Sequence, residues 1–141
     1  MDYRKIIWIF GRKGNDGKSW FKSCIQSLYA SHCAARFDII NKTADMLHIM
    51  SRCALETTCI FLFNHQRSAP SEGCCYLLLE LIKDGYASVH KFHGSFLRIN
   101  KPNLLVVFSN RDPQIRPLSQ DRWDICLITK EGWTLDHENE C

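Results

Sequence analysis

The stretch Gly11-Arg12-Lys13-Gly14-Asn15-Asp16-Gly17-Lys18-Ser19 decides how the rest of the chain is read. Glycines at 11, 14 and 17 let successive backbone amides turn inward, and a lysine and a serine follow at once. Amides converging at the start of a helix form a cradle for phosphate oxygens, because unpaired N–H groups and the helix dipole both favour an anion. In such a loop Lys18 reaches the β and γ phosphates and Ser19 ligates magnesium. The expected nucleotide contacts are Gly11, Gly14, Asn15, Asp16, Gly17, Lys18 and Ser19, with ATP and Mg2+ as cofactors. The widespread form of the pattern places four residues between its first glycine and the Gly-Lys-Ser; here Gly11 stands one residue further out.

The flanks of the loop supply what the mechanism demands. Lys5 to Phe10 reads as a buried strand, and Trp20 to Ala30 as a helix whose Phe21, Cys24, Ile25 and Leu28 recur at helical spacing. Beyond them, Ala35 to Ile40 reads as a strand and Lys42 to Cys53 as a helix capped at Asn41 or Thr43. Thr57 to Phe63 is a strongly apolar, β-prone run, and Cys74 to Lys83 is apolar at helical spacing before a stop at Gly85. Leu104 to Phe108 and Trp123 to Thr129 complete the strands. Alternating strands and helices predict an α/β fold of the P-loop NTPase type: a mostly parallel central sheet with helices on both faces.

Length and composition set the outer limits. A chain of 141 residues, 45% of them hydrophobic, is one ordinary domain with a real core; we expect it to span residues 1–135, with a polar tail at 136–141. Eighteen basic residues against 15 acidic give a net charge of +3, so a polyanionic partner must be argued from local clusters. Eight cysteines form no C-x-x-C pair and no zinc-finger spacing, and read as reduced, small core hydrophobes. The apolar run Ile6 to Phe10 stops at Gly11, too short for a signal peptide, and no stretch approaches the roughly 20 apolar residues that span a bilayer. The expectation is an intracellular protein that is neither secreted nor inserted in a membrane.

Four further groups bear on chemistry. The strand ending at Phe63 is where a phosphate site needs an acidic residue to hold magnesium through water, and the chain offers Asn64. Asparagine bonds the cation's shell without charge and cannot act as a base, although His65 and Glu72 stand near enough in sequence to compensate. Asn110 follows the strand run Leu105 to Phe108, where it can orient the attacking water. Arg122, after the proline-bearing loop Asp112 to Pro117, suits an arginine finger acting on a neighbour's nucleotide; an ion pair with Asp121 or Asp124 is the alternative. Lys83, His90, Lys91 and His93 surround Gly85 and Gly94 with Tyr86 and Phe92 interleaved, which suits a hairpin that grips a nucleic-acid backbone and stacks a base, or equally a plain basic surface hairpin.

Taken in order, these pieces resemble the superfamily 3 helicase domain of replication-associated (Rep) proteins from small circular single-stranded DNA viruses and related plasmids. Ile7 through Ser19 looks like that family's first motif, and Phe61-Leu62-Phe63-Asn64-His65-Gln66-Arg67-Ser68 like its second. Tyr76 and Leu79 to Gly85, followed by Lys91-Phe92, look like the intermediate DNA-gripping motif. Val107-Phe108-Ser109-Asn110 is similar to the third motif, and Leu118 to Trp123 to the arginine-finger segment. The resemblance implies an AAA+-like core that hydrolyses ATP to translocate along single-stranded nucleic acid, DNA ahead of RNA. It implies a homo-oligomer, up to a hexameric ring, in the host nucleus or cytoplasm, with catalytic roles for Lys18, Asn64, Asn110 and Arg122. Two departures stand against it: Asn64 replaces the family's aspartate, and the upstream nicking domain with its paired histidines and tyrosine is not in the sequence. They support an alternative, a truncated or decayed Rep fragment that binds nucleotide and a full-length replication protein without hydrolysis. A small nucleoside or nucleotide kinase shares the loop but brings an arginine-rich lid, which the scattered arginines here do not supply.

Overall fold

The computed structural model describes residues 4–11, 17–29, 33–39, 43–53, 55–65, 76–89, 95–100, 102–110, 120–129 and 132–135. The buried apolar runs become strands β1 (Ile6–Phe10), β3 (Ile60–His65) and β6 (Leu104–Ser109), flanked by the more polar β2 (Ala34–Ile39) and β7 (Trp123–Thr129). Helices α1 (Lys18–Leu28), α2 (Thr43–Ser51) and α3 (Tyr76–Asp84) connect them. An antiparallel hairpin, β4 (Tyr86–Val89) with β5 (Ser95–Arg98), is inserted between α3 and β6, so a hairpin does follow Gly85. A last strand, β8 (Gly132–Leu135), which the sequence reading did not foresee, pairs antiparallel with β7.

The six-stranded sheet runs β2-β3-β6-β1-β7-β8, and every pairing except β7 with β8 is parallel. Its two faces are read directly from strand alternation. Ile6, Trp8 and Phe10 of β1, Phe61 and Phe63 of β3, and Leu105 and Val107 of β6 meet Met46, Leu47 and Met50 of α2 and Leu78, Leu79 and Ile82 of α3. On the opposite face Ile9, Leu62, Val106 and Phe108 pack with Phe21 and Ile25 of α1. The predicted α/β architecture, a mostly parallel sheet covered by helices on both sides, is therefore the fold. Among the described residues no helix is long and apolar enough to cross a membrane.

Element edges moved by a few residues, with one change that bears on chemistry. β3 continues through His65, so Asn64 sits inside the strand and not just past it. α1 begins at Lys18 and ends at Leu28, which is 79% exposed and not part of the apolar face expected of it. Gly85 ends α3 as read, with a φ of 80° that a residue with a Cβ adopts at a cost. The cysteines depart from expectation: Cys53 and Cys59 are exposed, Cys24, Cys33 and Cys126 partly so, and all five are free thiols.

Lys83 is corrected outright. Its side chain is 6% exposed, and its ammonium donates to the Asn103 carbonyl at 2.8 Å, so it faces the protein and not a nucleic acid. Asn103 completes the clamp, its amide donating to the carbonyls of Ile82 and Asn100 at 2.9 Å each. Replacing Asn103 by alanine removes both bonds, one of them buried, and is expected to lower unfolding free energy in urea by about 1–3 kcal/mol.

Candidate functional site

Parallel strands bring their carboxyl ends to one edge of a sheet, and an open α/β sheet presents ligands there. β1 ends at Phe10, and the amide of the next residue, Gly11, donates to the Ser109 carbonyl of β6 at 3.3 Å. Asn110 directly follows that carbonyl and is half-buried. On the other side of β6, Asn64 of β3 pairs in register with Phe108. Gly11, Asn64 and Asn110 thus come to the same edge around β6.

The glycine-rich loop leaves this edge at Gly11 and lands on α1. Residues 12–16, including the expected contacts Gly14, Asn15 and Asp16, lie outside the described residues. Gly17 is the N-cap with φ 90° and ψ 1°, the left-handed region that favours glycine, and its carbonyl accepts the Phe21 amide at 2.9 Å. No side chain caps this helix start and its first turn carries no acid, so Lys18 and Ser19 open an end suited to an anion.

Under that turn lies a group the sequence reading missed. Lys22, one turn beyond Lys18, is 3% exposed in the middle of the apolar face formed by Phe21 and Ile25. Its ammonium donates to Asn64 Oδ1 at 3.0 Å and stands 5.3 Å from the centre of the Phe108 ring. Asn64 Nδ2 in turn donates at 3.2 Å to Asp38 Oδ1, from the residue beside it on β2. The signal was available: a lysine set among apolar neighbours on a helix face must find a partner in the fold.

Burial lowers the Lys22 pKa from the ordinary 10.5, helped by the charges of Arg36 and Lys18 and opposed by Asp38. The folded chain therefore releases this proton at a lower pH than the unfolded chain, and folding carries a cost that is lifted as pH rises through the folded value toward 10.5. Relative to Lys22→Met, the wild type is expected to gain stability across that alkaline window. Urea melts of both proteins at stepped pH check this; a constant difference contradicts it.

Magnesium is the cation that phosphate loops of this kind use, and the donors at the end of β3 do not fit it. Asn64 brings no charge, its oxygen already accepts from an ammonium, and its nitrogen faces a carboxylate. Among the described residues no group of three or more His, Cys, Asp or Glu side chains could hold a metal ion. His65, considered as compensation, is buried on the opposite face with Nδ1 3.2 Å from Ser109 Oγ and its ring against Trp8. Glu72 lies outside the described residues, as do Lys91, Phe92 and His93.

Arg122 occupies a 3-10 turn, Gln120–Arg122, immediately before β7. Trp123, the next residue, pairs with Ile6 at the start of β1, so Arg122 is at the sheet edge opposite Gly11. The five residues of β1 separate the two edges by about 15 Å, beyond the reach of an arginine in the same chain. A finger role for Arg122 is possible only toward a neighbouring subunit.

No family model matches the chain. It is 34% identical over 125 residues to Para-Rep C3 of Milk vetch dwarf C3 alphasatellite, covering 88% of this chain and 41% of that protein. It is 32% identical over 126 residues to Para-Rep C6 of Subterranean clover stunt C6 alphasatellite, covering 86% and 40%. Among solved structures, the C-terminal region of NrS-1 superposes with a TM-score of 0.53 at 13% identity, over 89% of this chain and 29% of that one. A second structure of the same region gives 0.52 over 99% and 35%, a likeness of fold alone. The chain is thus similar along most of its length to Rep proteins of alphasatellites, and spans about two fifths of the length of those curated relatives.

Proposed function

We propose that this chain is the nucleoside-triphosphate-binding module of a Rep-type replication protein, with the superfamily 3 helicase arrangement as its ancestry. The observation that carries the reading is where the two ends of the loop lie: Gly11 follows β1 beside β6, and Gly17 stands at the uncapped start of α1 with Lys18 and Ser19 in the first turn. The likeness to the Para-Rep proteins supports a role in replication. In this reading Gly11, Gly17 and the amides of Lys18 and Ser19 cradle the phosphates of ATP, Lys18 binds the terminal ones, and Asn110 addresses the γ phosphate from β6.

Two versions follow. In the hydrolysing version the module turns over ATP with magnesium as part of a homo-oligomeric ring on single-stranded DNA, each Arg122 serving the next subunit. In the binding-only version it holds nucleotide and joins a full-length replication protein. The Lys22–Asn64–Asp38 chain favours the second, since the place of the metal-holding carboxylate is taken by an amide bonded to a cation. Titrating a fluorescent ATP analogue while following phosphate release, with and without single-stranded DNA, tests both. Saturable binding without release is expected; DNA-stimulated release would establish the hydrolysing version, and absence of binding would end the proposal.

A further inference from the structure

Lys22 and Asn64 together bear on which form of the nucleotide this site takes. In phosphate loops generally, a carboxylate at the end of the neighbouring strand carries one negative charge and the divalent cation it helps to hold carries two positive, leaving one positive charge beside the phosphates. Here the strand residue is the neutral Asn64, and the Lys22 ammonium bonded to its Oδ1 at 3.0 Å supplies one positive charge at the same edge. The other charged groups that act on Lys22 are Arg36, Asp38 and Lys18. Arg36 and Asp38 act on Lys22 in opposite senses, while Lys18 adds to the attraction for an anion. A divalent cation brought to Asn64 would meet the ammonium first, and like charges at such close range repel.

We propose that the site binds nucleoside triphosphate free of divalent cation, the buried Lys22 ammonium on Asn64 balancing the charge that magnesium balances elsewhere. The inference rests on the nucleotide-binding reading above, and deepens it by naming the ionic form of the ligand. Two exchanges are needed to recover the usual arrangement: a carboxylate at 64 and removal of the lysine. Asn64→Asp alone pairs the new carboxylate with Lys22 and neutralises the site without making room for a cation.

The test is titration of the full chain with a fluorescent ATP analogue in magnesium and, separately, in EDTA, for the wild type, Asn64→Asp and the double variant Lys22→Ala/Asn64→Asp. Thermal melts of each establish that it is folded. For the wild type the affinity in EDTA is expected to lie within about threefold of that in magnesium, or to exceed it. Asn64→Asp is expected to lose about tenfold in EDTA by cancelling the ammonium. The double variant is expected to bind about tenfold more tightly with magnesium than without it. A wild type that loses about tenfold or more in EDTA overturns the inference while the nucleotide site stands. Binding in neither buffer overturns the nucleotide site itself. A folded Asn64→Asp variant with undiminished affinity in EDTA contradicts the charge role given to Lys22, whether or not the double variant folds.

Discussion

Lys18→Ala is expected to weaken binding of the ATP analogue by about 100-fold while leaving the melting temperature within a degree or two of the wild type, because the lost bonds to phosphate are charge-assisted and worth about 1.5–3 kcal/mol each. Lys18 is the first residue of α1, and a cation there opposes the helix dipole. Alanine is the better helix former, so the fold does not depend on this lysine as a helix-starting residue. Parallel titrations and melts on the two proteins give the answer. Equal affinity would remove Lys18 from the phosphates, and a collapse of the melt would mean that the lysine serves the fold.

Trp8→Ala is expected to produce the opposite pattern: loss of the fold, with binding lost only as a consequence. Trp8 is 1% exposed at the centre of β1. Its ring stacks on Tyr76 of α3 at 6.2 Å, and meets Trp123 of β7 at 5.8 Å and His65 of β3 at 6.1 Å edge-on. Tyr76 and Trp123 also touch, at 5.9 Å, so the removed side chain is the hub of an aromatic cluster that joins three strands to a helix. Truncating a buried tryptophan costs about 3–5 kcal/mol, against a total stability for small domains of about 5–15 kcal/mol. Urea denaturation followed by far-ultraviolet circular dichroism should place the variant's midpoint far below that of the wild type. An unchanged midpoint would mean that the cluster does not hold β1 in place.

The architecture was legible because the central strands β1, β3 and β6 are apolar runs, as strands buried on both faces must be, and because glycine punctuates the turns at 11, 17 and 85. Trp123–Thr129 was read to the residue. β8 escaped because Gly132–Leu135 is a short edge strand whose existence depends on pairing with β7, which local pattern does not reveal. Gly11, Asn64 and Asn110 could be read as neighbours because each lies at the carboxyl end of a strand in a mostly parallel sheet, and such ends share one edge. Lys83 was misread because, in a sequence, a lysine at a helix end next to a basic hairpin looks the same whether its ammonium faces solvent or the Asn103 carbonyl. Lys22 is the reverse case, a charged residue buried on the face of α1 that Phe21 and Ile25 mark as apolar. Its bond to Asn64 joins positions 42 residues apart, and only the fold brings them together.

The central claim is that phosphate is held at the junction of β1 and α1. Amide chemical shifts of the nitrogen-15-labelled chain, followed through an ATP titration, test it at the residues concerned. The account predicts saturable shifts concentrated at Gly11, Gly17, Lys18 and Ser19, with Asn64 and Asn110 responding at the same edge and Arg122, at the far edge, unmoved. Shifts centred elsewhere on the sheet, or none at saturating ATP, would contradict it.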